Sequence, residues 1–146
     1  MDFTYKYPRM LVTVDALIIL QDPLNFSPKV LLIQRKNDPF KGCYALPGGF
    51  IEMDELLKHA AERELMEETG LQGIELAQLA AFDDIDRDPR DRNISVVFYG
   101  FTTSNNSQVA GGDDALIAEW FSLNKLPSLA FDHAKVIEFA KEKLVL

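Results

Sequence analysis

The chain has 146 residues, of which 47% are hydrophobic and 26% charged, with a formal net charge of −8. These values predict one globular domain over residues 1–146, long enough to bury a core without a disulfide or a structural metal. The acidic charge argues against a nucleic-acid-binding surface, and an acidic protein with an anionic substrate needs cations between the two, so a divalent metal is expected.

The first third of the chain is predicted to form strands. Residues 10–20 and 30–35 are apolar and rich in β-branched side chains, and the segment 21–29 between them contains two prolines and an asparagine, which predict a loop. A short extended piece is expected at residues 44–46, inside a segment that otherwise has the composition of a loop.

An acidic helix is predicted to follow over residues 54–69. Asp54 is the expected N-cap, and Gly70 with Leu71 supplies the glycine and the hydrophobic residue that commonly end a helix.

The second half of the chain predicts more strands and a final helix. Strands are expected at 74–82, 94–102 and 119–122, and a charged loop at 83–92 separates the first two. Apolar residues recur at helical spacing over 132–144. Strands with two helices that can cover both faces favour a mixed α/β sandwich.

Three carboxylates of the acidic helix share one side. At 100° per residue, Glu64, Glu67 and Glu68 fall within an arc of roughly 100°, at the edge of the face that Leu65 helps to bury. Such a cluster is electrostatically unfavourable unless a cation lies between its members, and oxygen ligands suit Mg²⁺ or Mn²⁺. The alternative is an ordinary solvated acidic face.

The residues around this cluster carry a motif. Gly49, Glu55, then REL at 63–65, EE at 67–68 and GL at 70–71 stand at fixed intervals. The pattern resembles the Nudix signature, in which Gly, five residues, Glu and seven residues precede Arg-Glu-apolar-x-Glu-Glu-x-Gly-apolar. Every specified position matches.

The resemblance implies a fold, a reaction and a metal. The fold is an α/β/α sandwich with a mixed β-sheet and the Nudix loop–helix–loop. The reaction is hydrolysis of a nucleoside diphosphate linked to another group X. Two or three Mg²⁺ (or Mn²⁺) ions are expected, held by Glu64, Glu67, Glu68 and a carbonyl at Gly48.

The same resemblance assigns further residues. Glu67 and Glu64 are expected to be catalytic, with Arg63 and Glu55 paired to orient the junction of loop and helix, although an exposed ion pair of little energetic value is the alternative. Gly49 is expected to let the backbone approach the substrate. Glu52 is either an outer metal ligand or a solvated side chain.

Flanking segments indicate which group X is cleaved. DRDPR at 86–90 and LAFDH at 129–133 are similar to the bacterial and archaeal ADP-ribose pyrophosphatase-like branch of the family, and Ile85 departs from the proline frequent there. The resemblance implies a small-molecule nucleotide substrate, ADP-ribose, which gives AMP and ribose 5-phosphate. It also implies a homodimer.

Substrate contacts are predicted at several positions outside the motif. Arg35, at a strand end, is a candidate for phosphate; Arg87, with its neighbours Arg90 and Arg92, is a candidate for phosphate or ribose, or belongs to a solvated loop of neutralising pairs. Asp15 interrupts an apolar strand and is either a paired structural residue or a contact to substrate hydroxyls.

The general base has two candidate sources. Glu67 is favoured, and Asp113 or Asp114 in the loop after the fourth strand is the alternative; Asp114 is also a candidate for substrate contact. His133 is expected to make local hydrogen bonds at the start of the final helix. Four aromatic residues are candidates for stacking on adenine or for the core: Phe40, Tyr44, Phe50 and Phe82.

Two other functions compete with ADP-ribose hydrolysis. One is a house-cleaning pyrophosphatase for nucleoside triphosphates, and the other is a non-catalytic ADP-ribose sensor of the kind found in some transcriptional regulators. The complete motif argues against the sensor, and no winged helix is expected after Leu146 if the sequence is not a fragment.

The sequence predicts a cytoplasmic location without membrane contact. The N-terminus lacks a basic segment followed by an apolar one, and no apolar run approaches the roughly 20 residues that span a bilayer. Cys43 is the only cysteine, which excludes an internal disulfide and suits a reducing compartment.

Overall fold

A computed structural model describes residues 2–23, 25–112 and 115–146 of the chain. The elements of this part, in chain order, are β1 (Leu11–Asp22), β2 (Asn25–Arg35), β3 (Tyr44–Ala45), β4 (Gly48–Phe50), α1 (Leu57–Thr69), β5 (Ala77–Phe82), β6 (Asn93–Thr102), a 3₁₀ turn (Ser104–Asn106), β7 (Ala115–Ser122) and α2 (His133–Leu144). Among the described residues, no helix is long and apolar enough to cross a membrane.

The strands form one mixed sheet. Its main order is β3-β2-β1-β6-β5, with β4 paired to β1 and β7 paired to β2. β1 and β6 run parallel over ten residue pairs, from Leu11 with Asn93 to Leu20 with Thr102, and the other pairings are antiparallel. β1 is therefore the central strand.

Each face of the sheet is covered by one helix. Because side chains alternate along a strand, Ile18 of β1 packs with Leu65 of α1, whereas Ile19 packs with Val136 and Ile137 of α2. The central part of β1 is buried on both faces, which explains its uninterrupted apolar sequence. The predicted α/β/α sandwich is confirmed.

The acidic helix begins later than predicted. It starts at Leu57 rather than at residue 54, and its N-cap position is Leu56, which makes no side-chain capping bond, so the prediction of Asp54 as N-cap is wrong. The residues before it form a turn instead, since the backbone N–H of Glu52 donates to the Glu55 carboxylate at 3.2 Å. The helix ends as predicted at Gly70, whose φ of 81° is left-handed.

The predicted loop at 21–29 is wrong for most of its length. β1 extends to Asp22 and β2 begins at Asn25, so the two strands form a tight hairpin with an irregular register after Leu20. The prolines misled the prediction, because a proline at an irregular, weakly paired stretch removes no essential ladder bond. β4 was not predicted, since a Gly-Gly sequence has low strand propensity.

Candidate active site

A pocket of about 340 Å³ opens where β1, β4, α1 and the start of α2 meet. Its walls carry most of the predicted site residues of the described chain. Those that line it are Asp15, Arg35, Gly48, Gly49, Glu64, Glu68 and Arg87. Residues from distant parts of the sequence therefore converge on one cavity.

The two glycines of β4 allow the strand to lie between β1 and the acidic helix. Gly48 pairs with Asp15, and a Cβ there would be 2.2 Å from the carbonyl oxygen of Val14. A Cβ on Gly49 would be 2.6 Å from Oε1 of Glu64. A side chain at Gly48 would push β4 away from β1, whereas one at Gly49 would displace the Glu64 carboxylate.

Arg63 fastens the loop before α1 to the helix. Its guanidinium donates to both carboxylate oxygens of Glu55, at 2.7 and 2.9 Å, and to the carbonyl of Phe50 at 3.1 Å. It also donates to Glu64 at 2.9 Å and to Glu67 at 3.3 Å. These bonds lower the pKa of Glu55 and raise that of Arg63. The planar fork suits this bidentate arrangement, which a lysine cannot reproduce.

Glu68 is a buried carboxyl with an unsatisfied oxygen. The residue is 5% exposed, and its Oε2 atom has no hydrogen-bond partner among the described residues. Burial, followed by the negative charge of Glu64, raises its pKa to about 9. Burial also raises the pKa of Glu64, so both carboxyl groups hold a proton more readily than an exposed glutamate does.

These carboxyl groups fit a hard divalent cation. Their atoms are oxygens, one of them lacks a partner, and a cation would replace the proton that the pair otherwise needs. In the described part of the chain, no three His, Cys, Asp or Glu side chains already stand as a metal-ligand group. Glu64 and Glu67 instead bond to Arg63, so their carboxylates must turn before they can share an ion.

Asp15 lies in a polar network on the pocket floor. It accepts a short hydrogen bond from the Ser95 hydroxyl, and Nε2 of His133 is 3.7 Å away. Nδ1 of His133 accepts the backbone N–H of Leu46 at 3.0 Å, so a neutral imidazole carries its proton on Nε2, towards Asp15. Burial opposes ionisation of Asp15, but His133, Ser95 and Arg87 outweigh it and lower its pKa.

The charged loop 83–92 is held by an ion pair to the start of α2 and by an ion pair within the loop. Arg87 is almost fully buried and donates to both oxygens of Asp132, at 3.0 and 2.8 Å. Asp88 accepts from Arg90 at 3.0 and 2.8 Å. Arg92 donates to the carbonyl of Asp83 at 2.7 Å. The arginine predicted to contact substrate, Arg87, therefore lines the pocket with its guanidinium already held by a carboxylate.

The candidates for the loop base lie outside the described residues. These are Asp113 and Asp114. The residues just before them pack on the end of α1: the N–H of Ala110 donates to the carbonyl of Thr69, and a Cβ on Gly112 would be 2.0 Å from the carbonyl oxygen of Glu67.

The aromatic candidates separate into different places. Phe50 lines the pocket, whereas Phe82 packs on Phe139 in the core. Tyr44 packs on Phe121, and Phe40 contacts Phe131.

Several residues that line the pocket, and Ser95, which bonds to the lining residue Asp15, were missed as individual residues. Ser95 and Asn93 are polar residues at buried positions of β6, Asp88 belongs to the charged loop, and Phe131 belongs to the LAFDH segment. The signal for the first two was a polar residue in a strand pattern, which sequence alone cannot distinguish from an exposed face.

The comparison with protein families gives one match across most of the chain. The model described as "NUDIX domain" matches residues 11–140.

Two curated relatives are similar over much of the chain. An ADP-ribose pyrophosphatase from Methanocaldococcus jannaschii is 51% identical over 110 residues, which cover 75% of this chain and 64% of that protein. The ADPR responsive transcriptional repressor NtrR from Acinetobacter baylyi is 35% identical over 144 residues, which cover 94% of this chain and 56% of that protein. The chain thus spans less than two thirds of the length of either relative.

A solved structure matches the fold. The NUDIX domain of Shewanella oneidensis NrtR, in a cocrystal with ADP ribose, aligns with a TM-score of 0.86 and 32% identity. The alignment covers 94% of this chain and 90% of that one.

Proposed function

The chain belongs to the Nudix family, and from this premise and the pocket geometry we propose that it is a divalent-metal-dependent hydrolase that splits ADP-ribose into AMP and ribose 5-phosphate. Water adds across the diphosphate linkage, so that each product keeps one phosphate. We also propose that residues 1–146 act as one domain.

The buried pair of Glu64 and Glu68 is the observation that carries this proposal. A carboxyl with a pKa of about 9 and an oxygen without a partner is unfavourable in a protein that uses it only for folding. The pair stands beside Gly48 and Gly49, where an added Cβ would collide with the backbone of β1 or with the Glu64 carboxylate, in a pocket that arginines also line. The carboxylates suit a metal ion, and the glycine backbone and the guanidinium groups suit the phosphate oxygens. Together these groups fit a diphosphate bound through a metal ion.

Glu64, Glu67, Glu68 and the carbonyl of Gly48 would hold the metal, with two or three Mg²⁺ or Mn²⁺ ions proposed. When bound, Mg²⁺ neutralises the diphosphate oxygens and lowers the pKa of a water molecule. The role of Arg63 is to hold Glu55, Glu64 and Glu67 at the end of the loop, so that their carboxylates are presented together.

Glu67 is the proposed general base. Glu67 does not line the pocket, but its side chain is 36% exposed, more than that of Glu64 at 14%, which leaves it accessible to water once it turns from Arg63. Asp113 and Asp114 remain the alternative base candidates, and Asp114 a proposed substrate contact, on a segment whose preceding residues pack against the end of α1.

Arg35, Gly49, Asp15 and Arg87 are the proposed substrate contacts in the described chain. Arg35 supplies positive charge for a phosphate. Asp15 is a charged acceptor on the pocket floor, and a carboxylate there favours sugar hydroxyl groups, which donate, over phosphate, which repels it. His133, and to a lesser extent Ser95 and Arg87, lower the pKa of Asp15, and Arg87 does so while bound to Asp132.

We also propose a cytoplasmic homodimer. The family resemblance supports the dimer, and the single cysteine, Cys43, suits a reducing compartment.

A substrate panel with Mg²⁺ tests the proposed reaction. We expect AMP release from ADP-ribose at a higher kcat/KM than hydrolysis of nucleoside triphosphates. Glu67→Gln and Glu68→Gln should each lower kcat by about 10²-fold or more, since each removes a negative charge from the proposed metal site. Glu62→Gln, an exposed position of the same helix, is the matched control and should remain within about twofold of the unchanged protein.

The same panel separates two other functions. A clear preference for a triphosphate would retain the chemistry and remove ADP-ribose as the substrate. The relatives that are ADP-ribose-responsive or bind ADP ribose make a sensing module the second candidate. ADP-ribose binding at micromolar concentration, without turnover in Mg²⁺ or Mn²⁺, would favour that module over the enzyme.

A further inference from the structure

Two phenylalanines with left-handed backbones contact each other beside the pocket. Phe131 has a φ of 51° and Phe40 a φ of 61°, and their ring centroids are 5.0 Å apart. This conformation is an outlier for a bulky side chain and persists only where the surrounding structure holds it, frequently at ligand sites. Phe131 lines the pocket and Phe40 does not.

The structure explains how Phe131 is held. The two residues that follow it anchor the start of α2: Asp132 binds Arg87 through both carboxylate oxygens, and His133 accepts the N–H of Leu46. With the chain fixed at these two positions, the left-handed backbone of Phe131 directs its ring to the cavity wall. Each of the last three residues of the LAFDH segment thus has a contact in or beside the pocket.

Two arginine guanidinium groups lie near the Phe131 ring. The Arg35 guanidinium lies 4.9 Å from the Phe131 centroid, and the Arg90 guanidinium lies 5.5 Å from it. Arg90 also lies 5.9 Å from the centroid of Phe50, and Asp88 holds it through two hydrogen bonds. We call Phe50, Arg90, Phe131 and Arg35 the mouth cluster, since all four line the pocket.

We propose that the mouth cluster is the subsite for the base of the substrate, with Phe131 as the platform on which the base stacks. Aromatic rings and guanidinium planes both bind the face of a nucleobase, and such stacking tolerates different bases. The pocket is also lined by Asp15, Glu64 and Glu68, which suit hydroxyl groups and a metal rather than an aromatic ring. This inference rests on the proposed function, because it takes a nucleotide as the ligand.

Binding of a fluorescent base analogue tests the subsite without turnover. The probe is ADP-ribose with a 1,N6-etheno-adenine base, titrated in EDTA, where fluorescence quenching and the Kd report stacking and affinity. We expect Phe131→Leu to raise the Kd between about fivefold and about a hundredfold and to reduce the quenching. Phe131→Tyr, which keeps the ring, should remain within about threefold of the unchanged protein.

Two further variants separate stacking from other effects. Arg90→Lys keeps the positive charge but removes the planar guanidinium group. If that group stacks on the base, the variant should weaken probe binding about threefold or more. Phe101→Leu is the matched control, because Phe101 is a half-exposed phenylalanine in a ring pair with Tyr99 and does not line the pocket. It should leave both the Kd and the quenching unchanged.

Competition by inorganic pyrophosphate, which has no base, shows where Phe131 acts. We expect pyrophosphate to bind the Phe131→Leu variant and the unchanged protein with the same affinity. An equal loss for probe and pyrophosphate, an unchanged Kd in Phe131→Leu, or an equal effect of Phe101→Leu would overturn the inference. If ADP-ribose is not hydrolysed but Phe131→Leu weakens probe binding, the proposed reaction fails and the subsite stands. If ADP-ribose is hydrolysed but Phe131→Leu does not weaken probe binding, the reaction stands and the subsite fails.

Discussion

At the scale of single residues, Glu68 is both a proposed metal ligand and a buried carboxyl that affects the stability of the fold. Its carboxyl is buried beside Glu64, and its pKa of about 9 lies well above the usual value of a glutamate. In the unfolded chain the same group loses its proton near pH 4.5. Between these two values the folded state binds more protons than the unfolded state, so the free energy of unfolding falls as the pH rises.

The Glu68→Gln variant tests this energetic conflict. In EDTA, the unchanged protein should lose stability between about pH 5 and 9, by on the order of a few kcal/mol, whereas Glu68→Gln should show a flatter profile and a higher Tm at pH 8. Thermal unfolding at a series of pH values measures both. Added Mg²⁺ should raise the Tm of the unchanged protein and have little effect on the variant.

Glu62→Gln serves as the control in this experiment, because Glu62 is exposed on the same helix. A variant at Glu68 that is less stable than the unchanged protein in EDTA at pH 8 would contradict the account of a strained carboxyl pair.

At the scale of elements, Arg63 connects the loop at 51–56 to α1. The loop has no regular secondary structure. The hydrogen bonds that hold it include two from Arg63 to Glu55 and one from the backbone of Glu52 to Glu55. The Arg63–Glu55 ion pair was expected from the motif, but the later start of the helix was not. Helix propensity alone cannot show that the Glu55 side chain is engaged in such a contact. Packing with a distant partner decided the boundary.

Arg63→Lys should loosen this loop while leaving the helix in place. A lysine keeps the charge and loses the fork, so we expect about 1–3 kcal/mol of destabilisation and faster hydrogen exchange at residues 51–56 than in the unchanged protein. The kcat should fall as well, since Glu64 and Glu67 also bond to Arg63.

The matched control is Lys58→Ala. Lys58 lies on the same helix and forms an ion pair with Glu75 in which both side chains are largely exposed, so its loss should change stability by about 0.5 kcal/mol or less. Equal exchange rates at 51–56 in Arg63→Lys and the unchanged protein would show that Arg63 does not hold the loop.

At the scale of the whole molecule, one sheet supports two core layers and the pocket. Both helices and the strands other than β4 were predicted from apolar patterning, which reports burial directly. The pocket was predicted in part: Glu64, Glu68 and Gly49 were identified from the motif and Asp15, Arg35 and Arg87 from outside it, while Phe131 and Asp88 were not identified. Their contacts join residues far apart in sequence, and no local periodicity encodes such pairs.

The two layers should unfold together. Leu31 and Leu32 are fully buried neighbours on β2 that pack in the α1 layer and the α2 layer respectively. Leu31→Ala and Leu32→Ala should each cost about 2–5 kcal/mol. Trp120, the only tryptophan, packs in the α1 layer, so its fluorescence compared with circular dichroism during urea unfolding tests cooperativity.

In both variants the two signals should share one midpoint. A Leu32→Ala variant in which the circular dichroism transition moves while the Trp120 transition does not would show that the layers are separate units.

The most direct test of the central claim is ³¹P NMR of ADP-ribose incubated with the protein and Mg²⁺. We predict that the diphosphate resonances disappear and that two phosphomonoester resonances, those of AMP and ribose 5-phosphate, grow in equal amounts, with conversion at least about a hundredfold slower in the Glu68→Gln protein. Unchanged diphosphate resonances at a saturating concentration of ADP-ribose would contradict the assignment of this pocket as an ADP-ribose hydrolase.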